Sequence, residues 1–529
     1  MGLPEKRSGK PDDTQFQLFV DLPPGGQLGR TAADSGRRFI TGNPRSIVIG
    51  TTPLEQYLHD SGQVDAFTVA NLLDQQDWSE FEARYAHTGR PPYAPRLMLG
   101  LILYGVMQGT HSLRELERLA RLDLGCMWIT GGIAPDHANI GRFIMLHEQS
   151  LTSTFFESLT RHVLKATGST GERLAGDGTV IEAACSHYKR LKEEAVRERE
   201  KKAVAALQAQ PDNAAVQREH QISKQCLNIF EERATARRRN SLSTATLRVS
   251  ATEPEAMVQR IKRTKGFTTA YKPSILANKD RIITAMALDA SSETKVVEPL
   301  LEQSLRVLGH NPAEVLFDAG YFDDGVIAAT LNRDISLLCP DGQTPGVPKK
   351  GTVFAKAQFE YQPTDDTYRC PAGQTLTFVK AYAPTKTKHA QRLYQTSACG
   401  QCSQKSDCTS LDLRKITRLA QDEQRDALRE VMRHPQAQAI FRQRKAMVEP
   451  VFSRLRGQQK LQRFRRRGKA AATREFALHA LAHNLSRAVA LLRAIYRSLR
   501  LVKTALWRFH TVHLRRFALR SSFTGARGY

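Results

Sequence analysis

The 529-residue chain reads as a mixed α/β protein, and three observations carry that reading. Apolar residues recur at helical spacing from about Leu54 to Leu164, short β-like runs follow between Arg173 and Phe317, and helical periodicity returns after Leu411 almost to the end. A chain of this length exceeds the size at which one hydrophobic core stops growing, so two or three domains are expected.

Residues 1–50 are rich in Pro, Gly, Asp, Arg and Thr with little apolar periodicity, the composition of a disordered segment. A helical domain is expected over 51–165. Its most apolar stretch, LMLGLILYGVM from Leu97 to Met107, spans 11 residues. That is about half a bilayer crossing, so it reads as a buried core helix rather than a membrane span. In HSLRELERLARL, Ser112 and Glu115 form a capping-box pattern, and Leu113, Leu116 and Leu119 or Ala120 form one stripe. Gly131 and Gly132 then make a turn before a helix near PDHANIGRF. This order is loosely like the helical modules that read DNA grooves, and a plain packing domain fits it too.

The runs Arg173 to Ile181, Gly266 to Ile275, Arg281 to Leu288 and Glu314 to Phe317 have the composition of strands and would make a sheet. Between the first two, 187–250 is rich in Glu, Lys, Arg, Ala and Gln and is broken at Pro211-Asp212-Asn213, the pattern of a helical hairpin with a solvated face. The segment 345–412 alternates in QFEYQ and QTLTFVKAY around turns, which predicts a small β insertion; it carries four of the eight cysteines.

Charge points to the partner. The chain holds 78 Lys and Arg against 53 Asp and Glu, a net +25 that favours a polyanion. From Phe441 to Tyr529 there are 22 basic residues and two acids, Glu449 and Glu475, so this segment, including a basic tail at 501–529, carries most of the excess. With no long apolar span, nucleic acid is favoured over a membrane surface. No charged n-region followed by an apolar stretch opens the chain, so a cytoplasmic, nucleoid-associated protein with reduced thiols is expected.

Phosphodiester cleavage at neutral pH needs charge neutralisation and an activated nucleophile, and two divalent ions about 3.5 to 4 Å apart supply both. Such ions need clustered carboxylates. Asp177, in ERLAGDGTVIEA, sits amid strand-like residues, with Gly176 and Gly178 expected to leave room for a bulky polyanion. Asp318 follows the apolar Val315 to Phe317 and precedes Ala319-Gly320, where a strand gives way to a turn. Glu449 is nearly alone as an acid in a segment suited to hold phosphates, and Pro450 after it marks a helix start or a kink. Each has a plainer reading: Asp177 as a turn residue, Asp318 as an Asx cap, Glu449 as an ion-pair partner of Arg444 or Lys445. Asp289, Asp323 and Asp324 compete for the second position.

At these acids the sequence resembles the DDE transposases of bacterial insertion sequences, in the group with a cysteine-bearing insertion before the final Glu. The resemblance runs from about Leu54 to Leu492 through EARYAHTGRPPYAPRLMLGLILYG, WITGGIAPDH, DGTVIEA, TEPEAMVQRIKRTKGFTTAYKP, FDAGYFDD, MVEPVFSRLRG, RFRRRG and FALHALAHNL. It implies a ribonuclease-H-like catalytic core over 172–335 plus 430–500, with Asp177, Asp318 and Glu449 as catalytic ligands of two Mg²⁺ or Mn²⁺ ions. The chain departs from the usual pattern in having Phe441 where a Tyr is common eight residues before the Glu, and Arg456 where a Lys is common seven after it. Arg444 matches the expected Arg, and the usual GYNVQ-like segment is replaced by Ala270-Tyr271-Lys272-Pro273.

Cys399-x2-Cys402-x5-Cys408 with Cys370 in CPAG supplies four thiolates, enough for one structural Zn²⁺; unliganded reduced thiols are the alternative. The run RFRRRGK, with Arg463, Arg465, Arg466, Arg467 and Lys469, together with Arg444, Lys445 and Arg456, is the expected DNA-binding set. His479 and His483, four apart, imitate a metal pair without a third ligand and read as core or DNA-facing. The expected function is cleavage at terminal inverted repeats and transfer of the 3′-hydroxyl to target double-stranded DNA by a homo-oligomer on DNA. A catalytically impaired DNA-binding descendant or a hydrolytic nuclease are the alternatives.

Overall fold

The computed structural model describes residues 39–523 apart from short segments at 87, 111, 152, 187–188, 261–265, 343–353 and 385–389. The first 38 residues of the segment expected to be disordered lie outside the described ones. Its remainder differs from that expectation: Pro44–Ser46 form a helical turn, and Val48–Ile49 pair with Thr52–Pro53.

Helices follow: α1 (Leu54–Asp60), α2 (Asp65–Asp74), α3 (Pro95–Met107), α4 (Leu113–Leu122), α5 (Leu124–Thr130), α6 (His137–Leu146) and α7 (Ser153–Thr167), with a single helical turn at Ser79–Glu82 between α2 and α3. The apolar run of α3 is buried on every side, as a core helix requires. In α4, Leu116 and Ala120 are buried and Arg114, Arg118 and Arg121 are exposed, so the predicted stripe faces inward. Ser112 stands at the N-cap of α4 but its side chain makes no cap hydrogen bond, so the expected capping box does not form.

The principal sheet contains β1 (Arg173–Gly178), β2 (Ile181–Glu182), β3 (Met257–Arg260), β4 (Phe267–Asn278), β5 (Ile283–Asp289), β6 (Glu314–Leu316) and β7 (Ser336–Leu338). Its central order is β5-β4-β1-β6-β7; β4 is antiparallel to β1 and β5, while β1, β6 and β7 run parallel. The charged hairpin α8 (Glu193–Ala209) and α9 (Ala214–Arg239) intervenes between β2 and β3, and Asn213 caps α9 at the predicted break. Helices α10 (Val297–Leu308) and α11 (Asp324–Leu331) fall between the later strands.

Both faces of the sheet are covered, which is why adjacent residues of its parallel strands, Leu174 and Ala175, Val315 and Leu316, Leu337 and Leu338, are apolar on either side. Ala175, Ile275, Leu316 and Leu338 join a large cluster continuous with α2, α3 and α7, whereas their neighbours Leu174, Leu276, Val315 and Leu337 join a second cluster with α10 and α11. The N-terminal helices therefore share a core with the sheet.

A separate five-stranded antiparallel sheet, β8 (Glu360–Gln362), β9 (Thr367–Arg369), β10 (Thr375–Tyr382), β11 (Gln391–Gln395) and β12 (Lys415–Leu419), forms where a cysteine-bearing β insertion is expected. Helices α12 (Asp422–Arg433), α13 (Pro435–Phe441), α14 (Arg444–Gly457) and α15 (Lys469–Phe523) complete the chain. The expected basic tail continues α15 as far as Phe523; its side chains and residues 524–529 lie outside the described residues. No helix among the described residues is long and apolar enough to cross a membrane.

Candidate active site

Parallel pairing brings two acids together across 141 positions of sequence. Val315 pairs with Leu174 and Leu316 with Ala175; continuing that register by two residues sets Asp318 beside Asp177. Side chains alternate along a strand, so Asp177 and Asp318 project on the face of Ala175 and Leu316, toward α14.

That face holds Arg444, which is buried in the first turn of α14. Its Nη2 lies 3.2 Å from Asp177 Oδ1 and 3.3 Å from Asp318 Oδ2, so one guanidinium nitrogen bridges the pair. The Asp177 side chain is 22% exposed and that of Asp318 45%, so the pair opens to solvent on the Asp318 side. Asp318 also caps the turn Ala319–Tyr321, accepting from the Gly320 N–H at 3.0 Å. Only the Asx-cap reading of Asp318 holds locally: Asp177 is a strand residue of β1, not a turn residue, and accepts from the Gly178 N–H at 2.9 Å, yet both acids still converge.

Burial raises the pKa of Asp177 to about 6; Arg444 pulls it down, and the charges of Asp318 and Glu293 push it up again. The single bridging cation does not neutralise the cluster, which is the environment that invites hard divalent ions.

Glu293 is the residue that sequence reasoning missed. Its carboxylate stands where a side chain at position 178 would be, 2.9 Å from that ideal Cβ, and it also lies near Gly320. Lys272 Nζ is 3.5 Å from Glu293 Oε1. The open backbone at both glycines is already used within the protein, which corrects the expectation that they leave room for a polyanion: Gly176 admits the Phe317 ring, and Gly178 admits Glu293.

The competitors for the second position have other work. Asp289 accepts from the Ser291 and Ser292 N–H groups, Asp323 caps α11, and Asp324 forms a two-point pair with Arg425. Glu449 lies within α14 next to Pro450, exposed, and it makes no ion pair among the described residues. Seven residues on, almost in line along the helix, Arg456 donates to Thr179 Oγ1 and, at 3.0 Å, to the Val180 carbonyl, just past Asp177. Among the described residues Glu449 does not join Asp177 and Asp318 in a group of three at metal-ligand spacing. The other acid of the basic segment, Glu475, is buried and accepts from the Arg465 and Arg466 N–H groups, so it serves the fold.

The basic set divides. Arg444 is consumed by the acid pair; Arg456, Arg463 and Arg467 reach carbonyls between Val180 and Cys185, and burial lowers the pKa of Arg466. Lys469 lies 3.7 Å from Asp289. Lys445 and Arg465 are exposed. Phe441 packs against the main core. His479 and His483 are core residues: His479 Nδ1 meets the Gln459 amide at 2.9 Å, and His483 Nε2 the Arg281 carbonyl at 2.8 Å, with burial lowering His483 to about 3. Cys370, Cys399, Cys402 and Cys408 line one cavity in the inserted sheet.

Two family models match the chain. One, a transposase DDE domain, covers residues 369–489, a stretch with the four clustered cysteines, Arg444 and Glu449 but neither Asp177 nor Asp318. The other, a transposase domain (DUF772), covers residues 62–145, within the N-terminal helices. None of the curated proteins compared matches the chain. The two matched domains, in this order on one chain, identify it as a DDE-type transposase of the insertion-sequence kind.

Proposed function

We propose that the chain binds the terminal inverted repeats of its element, cuts DNA at those ends and joins the freed 3′-hydroxyl to target DNA, with Asp177, Asp318 and Glu449 as its metal ligands. The observation that carries this reading is the convergence of Asp177 and Asp318, from neighbouring parallel strands, on one buried arginine. The strand order β5-β4-β1-β6-β7, three antiparallel strands then two parallel ones, supports a ribonuclease-H-like core.

DDE transposases work with divalent metal ions, and the donors here suit Mg²⁺ or Mn²⁺: they are carboxylate oxygens with more negative charge than Arg444 offsets. Ions held there neutralise charge on the transferred phosphoryl group and favour the deprotonated nucleophile. The chain's own part is positional. Arg444 holds Asp177 and Asp318 at fixed spacing, and the Gly178 and Gly320 N–H groups fix their rotamers. Exposed Lys445 and Arg465 supply charge for the phosphate backbone, and the exposed Arg114, Arg118 and Arg121 row on α4 supports end recognition by residues 51–165.

The test is a purified-protein assay on DNA carrying the element's ends, with Mg²⁺. Nicking followed by joining to a second DNA is expected, and Glu449→Gln should bind ends while cutting none. Nicking without joining identifies a nuclease, and binding without nicking an impaired descendant; either result refutes the proposal.

A further inference from the structure

The inserted sheet rests on a small core: Phe359, Tyr368, Leu376, Tyr394 and Ile416 are its buried cluster, shared among five strands. A core of that size supplies little beyond the entropy cost of ordering its strands, and small units of this kind usually carry a covalent or metal cross-link. Four thiols stand at its edge. Cys370, Cys399, Cys402 and Cys408 line a single cavity with Phe354, Phe359 and Leu376, and Cys370 and Cys408 pack directly on the cluster. They arrive from three stretches: the end of β9, the helical turn Ser397–Gln401 after β11, and the short helix Lys405–Cys408.

The backbone around two of them directs N–H groups at sulfur. After Cys370 the chain turns sharply, with Gly373 at φ +79°; the Cys370 N–H donates to the Gln374 carbonyl and the Gly373 N–H to the Cys370 carbonyl, each at 2.8 Å. The returning Gln374 N–H points at Cys370 Sγ at 3.3 Å. The Arg414 N–H donates to Cys399 Sγ at 3.5 Å, and the Arg414 guanidinium binds the carbonyls of Cys408 and Phe354, adding positive charge beside the thiols. The remaining cysteines, Cys126, Cys185, Cys226 and Cys339, are buried in other parts of the fold, whereas these four keep partial access to solvent.

We propose that Cys370, Cys399, Cys402 and Cys408 bind one Zn²⁺ as a closed tetrahedral site, and that this ion cross-links the inserted sheet. Among the described residues no three Cys, His, Asp or Glu side chains stand at ligand spacing. Binding therefore includes an inward turn of the thiols, through side-chain rotation on a backbone already bent around the cavity. The step is ligand exchange without oxidation: four S–H protons are released to solvent as four Zn–S bonds form, leaving a site of charge −2 beside Arg414. The proposal does not depend on the catalytic reading, because these thiols belong to a different sheet from Asp177 and Asp318.

The test uses the full chain, purified reduced from zinc-supplemented culture. Metal analysis is expected to give one Zn²⁺ per chain. Co²⁺ in its place should show the visible absorption of tetrahedral thiolate coordination, and zinc should protect these four cysteines from alkylation mapped by mass spectrometry. Cys399→Ser and Cys402→Ser should lose the stoichiometric ion. Because such variants can misfold, the wild-type chain stripped by chelator and titrated with Zn²⁺ gives an independent reading. A wild-type chain that takes up no stoichiometric zinc, or serine variants that retain it, overturns the proposal.

Discussion

Substituting Asp177 by Asn is expected to stabilise the metal-free chain while abolishing strand cleavage. Burial is the largest influence on Asp177, and it pushes the pKa up to about 6 even against the attraction of Arg444. A carboxyl whose folded pKa lies above its unfolded value prefers to be protonated in the fold, so its ionisation opposes folding. The penalty is absent below about pH 4, grows between about pH 4 and 6, and is complete above that. A shift of two units corresponds to about 3 kcal/mol. Asn keeps the shape of the protonated acid and cannot ionise, and Arg444 retains Asp318 as a partner. Urea unfolding in chelator should therefore show Asp177→Asn more stable than wild type by up to about 3 kcal/mol at pH 8, with the gap closing near pH 4. Added Mg²⁺ should stabilise the wild type alone. A variant less stable than wild type at the higher pH would refute the reasoning, because it would mean that the Arg444 pair outweighs burial and that Asp177 is an element of the fold.

Further outcomes follow from the same geometry. Glu293→Gln removes one of the charges that raise Asp177, so the midpoint for metal binding should move to lower pH; an unchanged pH profile would place Glu293 outside the site's field. Gly176→Ala drives a methyl into the Phe317 ring, and overpacking of this kind costs about 1 to 3 kcal/mol, readable by urea unfolding. Lys445→Ala with Arg465→Ala should weaken binding to DNA of any sequence and flatten the log-log salt dependence by about 0.9 for each phosphate that is no longer neutralised. An unchanged slope would remove both residues from the interface.

Much of the fold is legible from local pattern, because the driving forces there are local. The strands β4, β5 and β6 fall within or close to the apolar runs at Gly266, Arg281 and Glu314, and Pro211-Asp212-Asn213 breaks the hairpin where helix-stopping residues stand. β7 has only Ser336, Leu337 and Leu338, too few residues for a periodicity to show; it exists because β6 offers it a parallel edge. The acid pair is legible only in part. Nothing in the residues around Asp318 separates it from Asp323 or Asp324, since in the sequence all three read alike as acids just after an apolar run; what separates them is a strand register fixed 141 positions away. Glu293 gave no signal, because it follows Ser291-Ser292 in a loop and reaches the site only through space that Gly178 leaves open. Arg444 was legible as a basic residue, but its burial between two acids required the packing of α14 on β1.

The placement of Glu449 poses a final question, since the next residue is a proline inside a helix. Pro450 has no N–H to give to the carbonyl of Ala446, four residues earlier, so that acceptor is orphaned. Arg281 Nε donates to it at 3.1 Å. Arg281 sits at φ +64° in the turn between β4 and β5, and its own carbonyl takes the hydrogen bond from His483 of α15. One residue thus ties the turn of α14 that carries Glu449 to the central sheet and to the last helix. Arg281→Ala removes the donor and keeps the unfavourable backbone; Arg281→Gly removes the same donor and relieves the left-handed conformation, a difference of about 1 kcal/mol in favour of Gly. If Arg281 positions Glu449, both variants should cut DNA ends slowly while binding them normally, although the Gly variant is the more stable of the two. Cleavage that tracks stability instead, recovering in Arg281→Gly, would show that Arg281 matters only for folding, and Pro450 would then need another account.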